Sequence, residues 1–593
     1  MALIGIVIAS LRTVSKDRIQ CGTLRLENID KSVQLFGWIH RIRTHKDITF
    51  IDLRDRSGIV QLLLPESLQH HVPLRLEYCI SVRGTIEQRK DPNPKMATGA
   101  IEVKVFHIEL LSTSCELPFH IHEKNREDLR LRYRYLDLRS KHMQEALRIR
   151  HEATFHCRQF FHDHDFYEIE TPTMIRSTPE GARDFLVPSR TIPGSFYALA
   201  QSPQLYKQML MIGGIERYFQ IARCYRDEDT RGDRQPEHSQ IDIEMSFSTE
   251  QEIRELTEKL ISYIVSNTLH NDIHTPFPHI TYHTAMDHYG SDKPDLRFQL
   301  PLLDFSSHAR KSSFSIFQDV LANEGCVKML CIPHASSYSR KKIEDLEAVA
   351  IQHGVKGLAW TKVINNTFQG GIARFLVSQE SHIIHNFSIP PDSFLVFTAA
   401  NWHTACSALG AVRSQVGKSQ NYDTNILQFM WITDFPLFQK TEDGWDAAHH
   451  IFSQPKTEYI KSMEKSPASV IGQLYDLVCN GYELASGSIR IHDPQLQERV
   501  FNIIGLSKQE ASTRFGFFLE ALQYAPPPHG GIAIGLDRLI MLLCKRQSIR
   551  DVIAFPKNTL MTSTLDGSPA PVSKDSLQEL GISIIHSQQK HST

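Results

Sequence analysis

The stretch from Tyr218 to Phe247 constrains this chain more than any other. It reads YFQIARCYR, then DEDTRGDRQPEHS, then QIDIEMSF. In the last part Ile241, Ile243 and Met245 alternate with Asp242 and Glu244. That is the period-two pattern of a strand with one apolar face and one face carrying two carboxylates. The first part is rich in aromatic and branched residues, which predicts a second strand reaching Arg226. Between them runs a charged loop of roughly a dozen residues, longer than a tight hairpin needs and of a kind more often functional than idle. Its arginines suit an anionic substrate. A solvated charged loop on a hairpin is the competing reading.

With 593 residues, 41% hydrophobic and 22% charged, the chain is too long for one core, and roughly three or four domains are expected. A formal charge of -2 excludes a wholesale polycation, so any nucleic-acid contact must come from local patches. The cysteines form no CxxC pair, and the closest two, Cys326 and Cys331, have no matching partners for a zinc site. A reducing, cytoplasmic compartment is expected. The apolar run Ala2 to Ala9 is too short to span a bilayer and lacks the preceding basic residues of a signal core. It is read as an N-terminal extension, with organelle targeting as the alternative and no membrane partner.

The order Arg226, Glu228, Arg231, Arg234, Gln235 resembles motif 2 of the class II aminoacyl-tRNA synthetases, and YRDEDTRGDRQPEHSQIDIEMSF resembles their aspartyl enzymes of bacterial type. The resemblance implies a multidomain α+β chain with an N-terminal OB-fold barrel, an antiparallel-sheet catalytic core and an inserted α/β domain. It covers nearly the whole chain except the first fifteen or so residues and the tail, and the joint order of its motifs carries it.

Before that stretch, VQLFGWIHRIR, ITFIDLRDR, IVQLLL, YCISVRGTI and IEVKVFHI read as five short strands, which suits a small barrel of the oligonucleotide-binding kind. Thr49, Ile51 and Leu53 share one face of the second strand. Phe50 sits on the other beside Asp52 and Arg54, a candidate base-stacking platform, with Arg41, Arg43 and Lys46 as candidate phosphate contacts. GWIHRIR, FIDLRDRSGIVQ and MATGAIEV resemble the family's anticodon-binding domain, which puts Arg43, Phe50 and Gln61 on anticodon-contacting positions. By the same resemblance His45 matches a position that is often leucine in enzymes restricted to tRNA(Asp) and histidine in relaxed ones that also charge tRNA(Asn). An exposed turn histidine without a contact is the alternative there.

The expected organisation is an extension (1–18), the OB domain (19–115), a hinge (116–140), a first part of the catalytic core (141–295), the inserted domain (296–428), a second part of the core (429–566) and a polar tail (567–593). RLRYRYLDLRS in the hinge is taken to pass beside tRNA, with a solvated connector as the alternative. Ile149, Ala153, Cys157 and Phe160 at helical spacing, then FYEIETPTM, predict a long helix and an extended run. These resemble motif 1, which builds the family's dimer interface and implies a homodimer. The chemistry of the insertion is not legible.

Making an aminoacyl-adenylate from ATP brings two anions together, so positioning and oriented cations should lower the barrier. Arg226 is assigned to the α-phosphate and the aspartate carboxylate, because a permanently charged guanidinium grips oxygens bidentately. By resemblance Glu228 and Gln235 contact ATP. So do Gly535, Leu536, Asp537 and Arg538 of GGIAIGLDRLIMLL, the motif 3 strand and helix, whose paired glycines would let backbone approach the nucleotide. Asp476 and Glu483 flank LVCNGY. Seven residues along a helix make nearly two turns and return both carboxylates to one side, where oxygen ligands suit Mg2+. L-Aspartate needs buried cations for its second carboxylate, and Lys207 and Arg490 are the candidates, with Asp242 as their acidic neighbour. Glu180, Gln204 and His449 complete the aspartate pocket by resemblance.

The sequence departs from the family pattern in ASGS and APPPHGG, neither of which removes a charge. Two other functions compete: a lysyl- or asparaginyl-type synthetase, and an inactive tRNA-binding paralogue. The presence of Arg226, Glu483 and Arg538 weighs against the second. A P-loop ATPase is excluded because no GxxxxGK[ST] occurs.

Overall fold

Five strands of the N-terminal unit close into a barrel in the order β1-β2-β3-β5-β4. They are β1 (Ser32–His45), β2 (Ile48–Asp55), β3 (Gly58–Pro65), β4 (Cys79–Gln88) and β5 (Ile101–Ser112). The computed structural model describes residues 18–585 except 47, 70, 71, 179, 180, 421 and 443. The N-terminal extension, but for its last residue, lies outside the described residues. Alternate side chains fill the barrel, among them Leu35, Ile39, Ile51, Leu53, Val60, Leu62, Val82 and Val103, each fully buried or nearly so.

The hinge arginines depart from expectation. Short helices span Glu127–Arg132 and Arg134–Asp137, and Arg134 and Arg130 both pair with Asp137, at 2.5 and 3.0 Å. Arg139 and Arg54 both bind Glu77, at 2.9 and 2.7 Å. These arginines are consumed by internal carboxylates rather than offered to a polyanion, because a buried guanidinium without a partner costs several kcal/mol.

The second unit, Glu145–Thr593, is built on an eight-stranded sheet. It is entered through the long helix α1 (Lys141–His162), which is followed by the edge strand β6 (Tyr167–Glu168) and α2 (Gln204–Ile212). The predicted hairpin follows as β7 (Arg217–Tyr225) and β8 (Glu237–Ser246), then α3 (Glu250–Leu269), β9 (His279–Thr281) and α4 (Tyr282–Tyr289). A separate five-stranded sheet comprises β10 (Leu302–Asp304), β11 (Cys326–Ile332), β12 (Ala359–Ile364), β13 (Thr367–Gln369) and β14 (Phe394–Ala400), in the order β10-β11-β14-β12-β13. The helix α5 (Trp402–Lys418) packs on it. The chain then returns to the large sheet with β15 (Phe429–Thr433), β16 (Leu474–Cys479), β17 (Tyr482–Ile489) and β18 (His529–Gly535), and ends this core with α6 (Leu536–Leu543).

The large sheet runs β9-β15-β16-β17-β18-β8-β7-β6, antiparallel except for its two outermost pairs. One face is apolar: Ile241, Ile243, Ile532, Ile534 and Leu477 join residues of α1, α3 and α6 in one core. The polar face foreseen for β8 exists, but it is not solvated. Asp242 is 1% and Glu244 0% exposed, so its carboxylates are buried.

The reading of Asp476 to Glu483 as a helix is wrong. The segment is a hairpin, β16 turning at Asn480-Gly481 into β17, because LYDLVC is branched and apolar and Asn-Gly is a strong hairpin turn. Asp476 faces Ser486 and Val478 faces Glu483, with a one-residue shift of register after Leu477. That bulge makes Leu484 the extra residue and turns Glu483 onto the face that carries Asp476. In a regular ladder it would point into the apolar core.

Candidate active site and nucleic-acid face

Register lays the site out in rows. Asp476, Ser486, Ala533, Asp242 and Gln220 are successive cross-strand neighbours, and Ser488, Gly531, Glu244 and Tyr218 form the next row. Small residues, Ala533 and Gly531, stand in the middle of the rows between the flanking charges. Gly531 is small for a local reason: a Cβ there would lie 2.0 Å from Glu244 Oε2. Gly530 likewise faces Ile489 and Ile253. The paired glycines thus make room for Glu244 and the core.

The charges form a closed network. Lys207 Nζ donates to Asp242 Oδ1 at 2.9 Å and pairs with Glu244 at 3.1 Å. Arg490 donates to both oxygens of Glu244, at 2.9 and 3.2 Å, and to Ser488 Oγ at 2.6 Å. Two buried cations are matched to two buried anions, which keeps the cluster tolerable in a low dielectric. Burial alone would raise the pKa of Glu244, but the charges of Arg490 and Lys207 outweigh it and hold the carboxyl at about 2. Asp242 is pushed up by burial against the pull of Lys207, and its Oδ2 has no hydrogen-bond partner. Gln204 also keeps a buried Nε2 without a partner, beside a cavity of about 150 Å³ lined in part by Ser202, Gln204 and Gln201. Glu180 lies outside the described residues. His449 packs edge-on against Phe435 at 4.6 Å, and desolvation lowers its pKa.

Two arginines stand at the other end. Arg226 closes the loop by a backbone bond to Pro236 O at 2.8 Å. Its Nε is buried without a hydrogen-bond partner. Arg538 donates to Glu483 O at 2.7 Å and pairs with Asp233 at 3.0 Å. His238 is near both: burial first, then these two cations, push its pKa down to about 3 and keep the ring neutral. Several expected nucleotide contacts have side chains committed elsewhere. Glu228 pairs with Arg234 at 2.9 Å, and the Gln235 amide brackets the backbone of Lys557 at 2.8 and 3.1 Å. Leu536 lies in the core. Asp537 accepts from Arg150 at 2.5 Å and from Ser239 N at 2.8 Å. What Gly535, Leu536 and Asp537 can offer a nucleotide is therefore backbone.

Asp476 is 3% exposed, and its Oδ1 has no hydrogen-bond partner. Burial and then the neighbouring Glu483 push its pKa well up, a pairing that a cation would relieve. Among the described residues no group of three or more His, Cys, Asp or Glu is arranged to hold a metal ion by itself.

Sequence reasoning noticed Glu244 without giving it a role and missed Ser488 and His238. Alternation with Ile243 placed Glu244 on the polar face, but only the fold brings Arg490 to it.

On the barrel, Arg43 is opposite Phe50 on β2. It is not a free phosphate contact: it donates to Asp52 at 2.6 Å and Gln61 at 3.1 Å, and Gln61 in turn donates to Glu102 at 2.7 Å. Phe50 is half-buried and His45, at the end of β1, is exposed. The face presents a fixed array of hydrogen-bonding groups beside an aromatic ring, the arrangement that reads splayed bases.

Residues 126–559 match the family of tRNA synthetases class II (D, K and N), and residues 33–111 match the OB-fold nucleic acid binding domain. A Treponema denticola protein named "Aspartate--tRNA(Asp/Asn) ligase" is 50% identical over 585 residues, covering 95% of this chain and 98% of that protein. One of the same name from Borrelia garinii subsp. bavariensis is 48% identical over 578 residues, covering 96% and 99%. Among solved structures, asparaginyl-tRNA synthetase from Pyrococcus horikoshii complexed with asparaginyl-adenylate aligns with a TM-score of 0.58 at 17% identity, covering 91% of this chain and 97% of that one. At that identity the likeness is one of fold alone. No helix among the described residues is long and apolar enough to cross a membrane.

Proposed function

The chain belongs to the class II tRNA synthetases of the D, K and N group, and on that premise we propose that it is an aspartate-tRNA ligase of the cytoplasm serving both tRNA(Asp) and tRNA(Asn). The observation that carries the amino-acid choice is the buried Lys207, Asp242, Glu244 and Arg490 network. Cations held in place by Asp242 and Glu244 before substrate arrives favour an incoming carboxylate over an ammonium, which they would repel. A lysyl activity is disfavoured by the same charges.

In the activation step a carboxylate oxygen of aspartate attacks the α-phosphorus of ATP, and the bond to pyrophosphate breaks. Arg226, without an ion pair among the described residues, neutralises the attacking carboxylate and the α-phosphate, and Arg538 meets the distal phosphates. Gln204, with its unpartnered amide, and Glu180 hold the amino end. In the transfer step a hydroxyl of the tRNA 3′ end attacks the carbonyl carbon and AMP leaves. Asp476 and Glu483 would hold Mg2+: the orphaned oxygen of Asp476 and the proximity of two carboxylates fit that ion. When bound, the ion supplies charge neutralisation at the phosphates.

Two further assignments belong to this reading. Phe50, Arg43, Gln61 and His45 form the anticodon contact. A histidine can donate or accept where leucine can only fill space, so His45 supports use of both tRNAs, as do the names of the relatives. Exposed Phe155, Tyr167, Phe196 and Tyr197 come from α1, β6 and the strand at Phe196–Leu199. Aromatic side chains of this size left in water favour an isologous contact with a second copy, hence a homodimer.

The deciding experiment charges purified tRNA(Asp) and tRNA(Asn) with aspartate, asparagine and lysine side by side. Aspartate on both tRNAs is expected. If tRNA(Asn) is charged at under a thousandth of the cognate efficiency, or if His45→Leu leaves the ratio unchanged, relaxed use of tRNA is wrong. Preference for another amino acid would end the aspartate reading.

A further inference from the structure

The segment between α4 and β10 carries a cation that the activation chemistry has not used. It leaves α4 at Gly290, whose φ is 64°. A Cβ on Gly290 would lie 2.1 Å from Cys406 O and 2.6 Å from Gly410 Cα, so α4 and α5 touch backbone to backbone. Beyond Gly410 on α5, Arg413 is 1% exposed. It donates to the carbonyls of Leu300 at 2.8 Å, Asp295 at 2.9 Å and Phe298 at 3.1 Å. Its guanidinium also lies over the rings of Tyr289 and Phe298, at 5.0 and 4.6 Å. A buried arginine bonded to three backbone carbonyls of an irregular segment fixes the path of that segment.

The fixed path leads to the carboxylate hairpin. Asp295, clasped by Arg297 at 2.6 Å, lies against the turn between β16 and β17. A Cβ on Gly481, whose φ is 83°, would meet Asp295 Cβ at 3.2 Å. That hairpin carries Asp476 and Glu483. Asp292 and Lys293 stand three and two residues before Asp295 on that fixed path. Lys293 is 45% exposed at its side chain, and its nearest carboxylate, Asp292, is 3.7 Å away, beyond hydrogen-bond reach. The hairpin beside this segment carries Glu483 and Asp476, whose Oδ1 is orphaned. A lysine two residues from the Asp295 contact is a flexible point charge next to a hairpin suited to a metal-bound anion.

We propose that Lys293 is a phosphate contact of the activation step, delivered to the ATP polyphosphate by the segment that Arg413 and Gly481 hold against the carboxylate hairpin. This rests on the reading of the site as ATP-using and adds a residue to it from the edge of the inserted domain. As the bond from α-phosphorus to pyrophosphate breaks, negative charge grows on the departing oxygens, and the ammonium group meets it without forming a covalent bond.

The test uses the full chain with Lys293→Ala and Lys293→Arg, Mg·ATP as the probe, and three readouts: ATP binding by calorimetry, aspartate-dependent pyrophosphate exchange, and tRNA charging. Alanine should weaken ATP binding and lower kcat/KM for ATP in exchange by roughly 10- to 100-fold, with KM for aspartate within about twofold. Arginine should recover most of the loss. Equal ATP binding and exchange by wild type and alanine variant overturn the assignment. A loss seen only in tRNA charging overturns it too, since the phosphate would then be the tRNA's. If the wild type shows no aspartate-dependent exchange but Lys293→Ala still weakens ATP binding, the amino-acid reading fails and the phosphate contact stands.

Discussion

Arg226→Ala and Arg490→Ala should fail in different ways, because one arginine is unpaired before substrate arrives and the other is not. Arg226 has a buried Nε without a partner and no ion pair among the described residues, so its removal strands no described carboxylate. Its loss should change stability by no more than about 0.5 kcal/mol, while aspartate-dependent pyrophosphate exchange falls roughly 10²- to 10³-fold, the scale of losing one oriented donor at a charged transition state. Arg490 holds Glu244 through bonds of 2.9 and 3.2 Å. Without it Glu244, 0% exposed, keeps only Lys207 at 3.1 Å as a charged partner. Breaking a buried pair from one side costs about 3–5 kcal/mol, so Arg490→Ala should lose stability as well as activity. The assays are pyrophosphate exchange at saturating ATP and urea unfolding followed by tryptophan fluorescence. The reasoning is refuted if Arg226→Ala unfolds at clearly lower urea, if it keeps exchange within twofold of wild type, or if Arg490→Ala unfolds with wild type.

Phe50→Ala should reduce tRNA charging by roughly 5- to 150-fold, the worth of one stacked base, and leave pyrophosphate exchange nearly unchanged. Equal damage to both would point to misfolding. The folded-state pKa of Glu244, about 2 against an ordinary 4.5, is depressed. Its contribution to stability is therefore full above pH 4.5 and lost as pH falls from 4.5 towards 2. Thermal midpoints measured across that window should fall steeply for wild type and more gently for Glu244→Gln, and parallel curves would remove Glu244 as a cause. Light scattering should give twice the chain mass of 67.9 kDa at micromolar concentration. A monomer mass would mean that the exposed Phe155, Tyr167, Phe196 and Tyr197 serve another purpose.

Local patterns in the chain determined much of this protein. Alternation marked the five barrel strands, the 3.6-residue spacing of Ile149, Ala153, Cys157 and Phe160 marked α1, and the strand-loop-strand around Arg226 survived intact. Such features depend on neighbours within a turn or a pleat, so sequence spacing reports them directly. Charge partners were different. Arg43, a candidate phosphate contact, is held by Asp52 and Gln61, and three hinge arginines, Arg130, Arg134 and Arg139, are held by Asp137 and Glu77. Arg490 and Glu244 meet across 246 positions of chain. Glu483 faces the site only because one bulge reverses the parity of its strand, and Lys293 approaches only because Arg413 ties down a segment with no regular structure of its own. Residue types state which groups need a partner when buried. Which group supplies it is fixed by strand register and long-range packing, whose determinants are not neighbours in sequence.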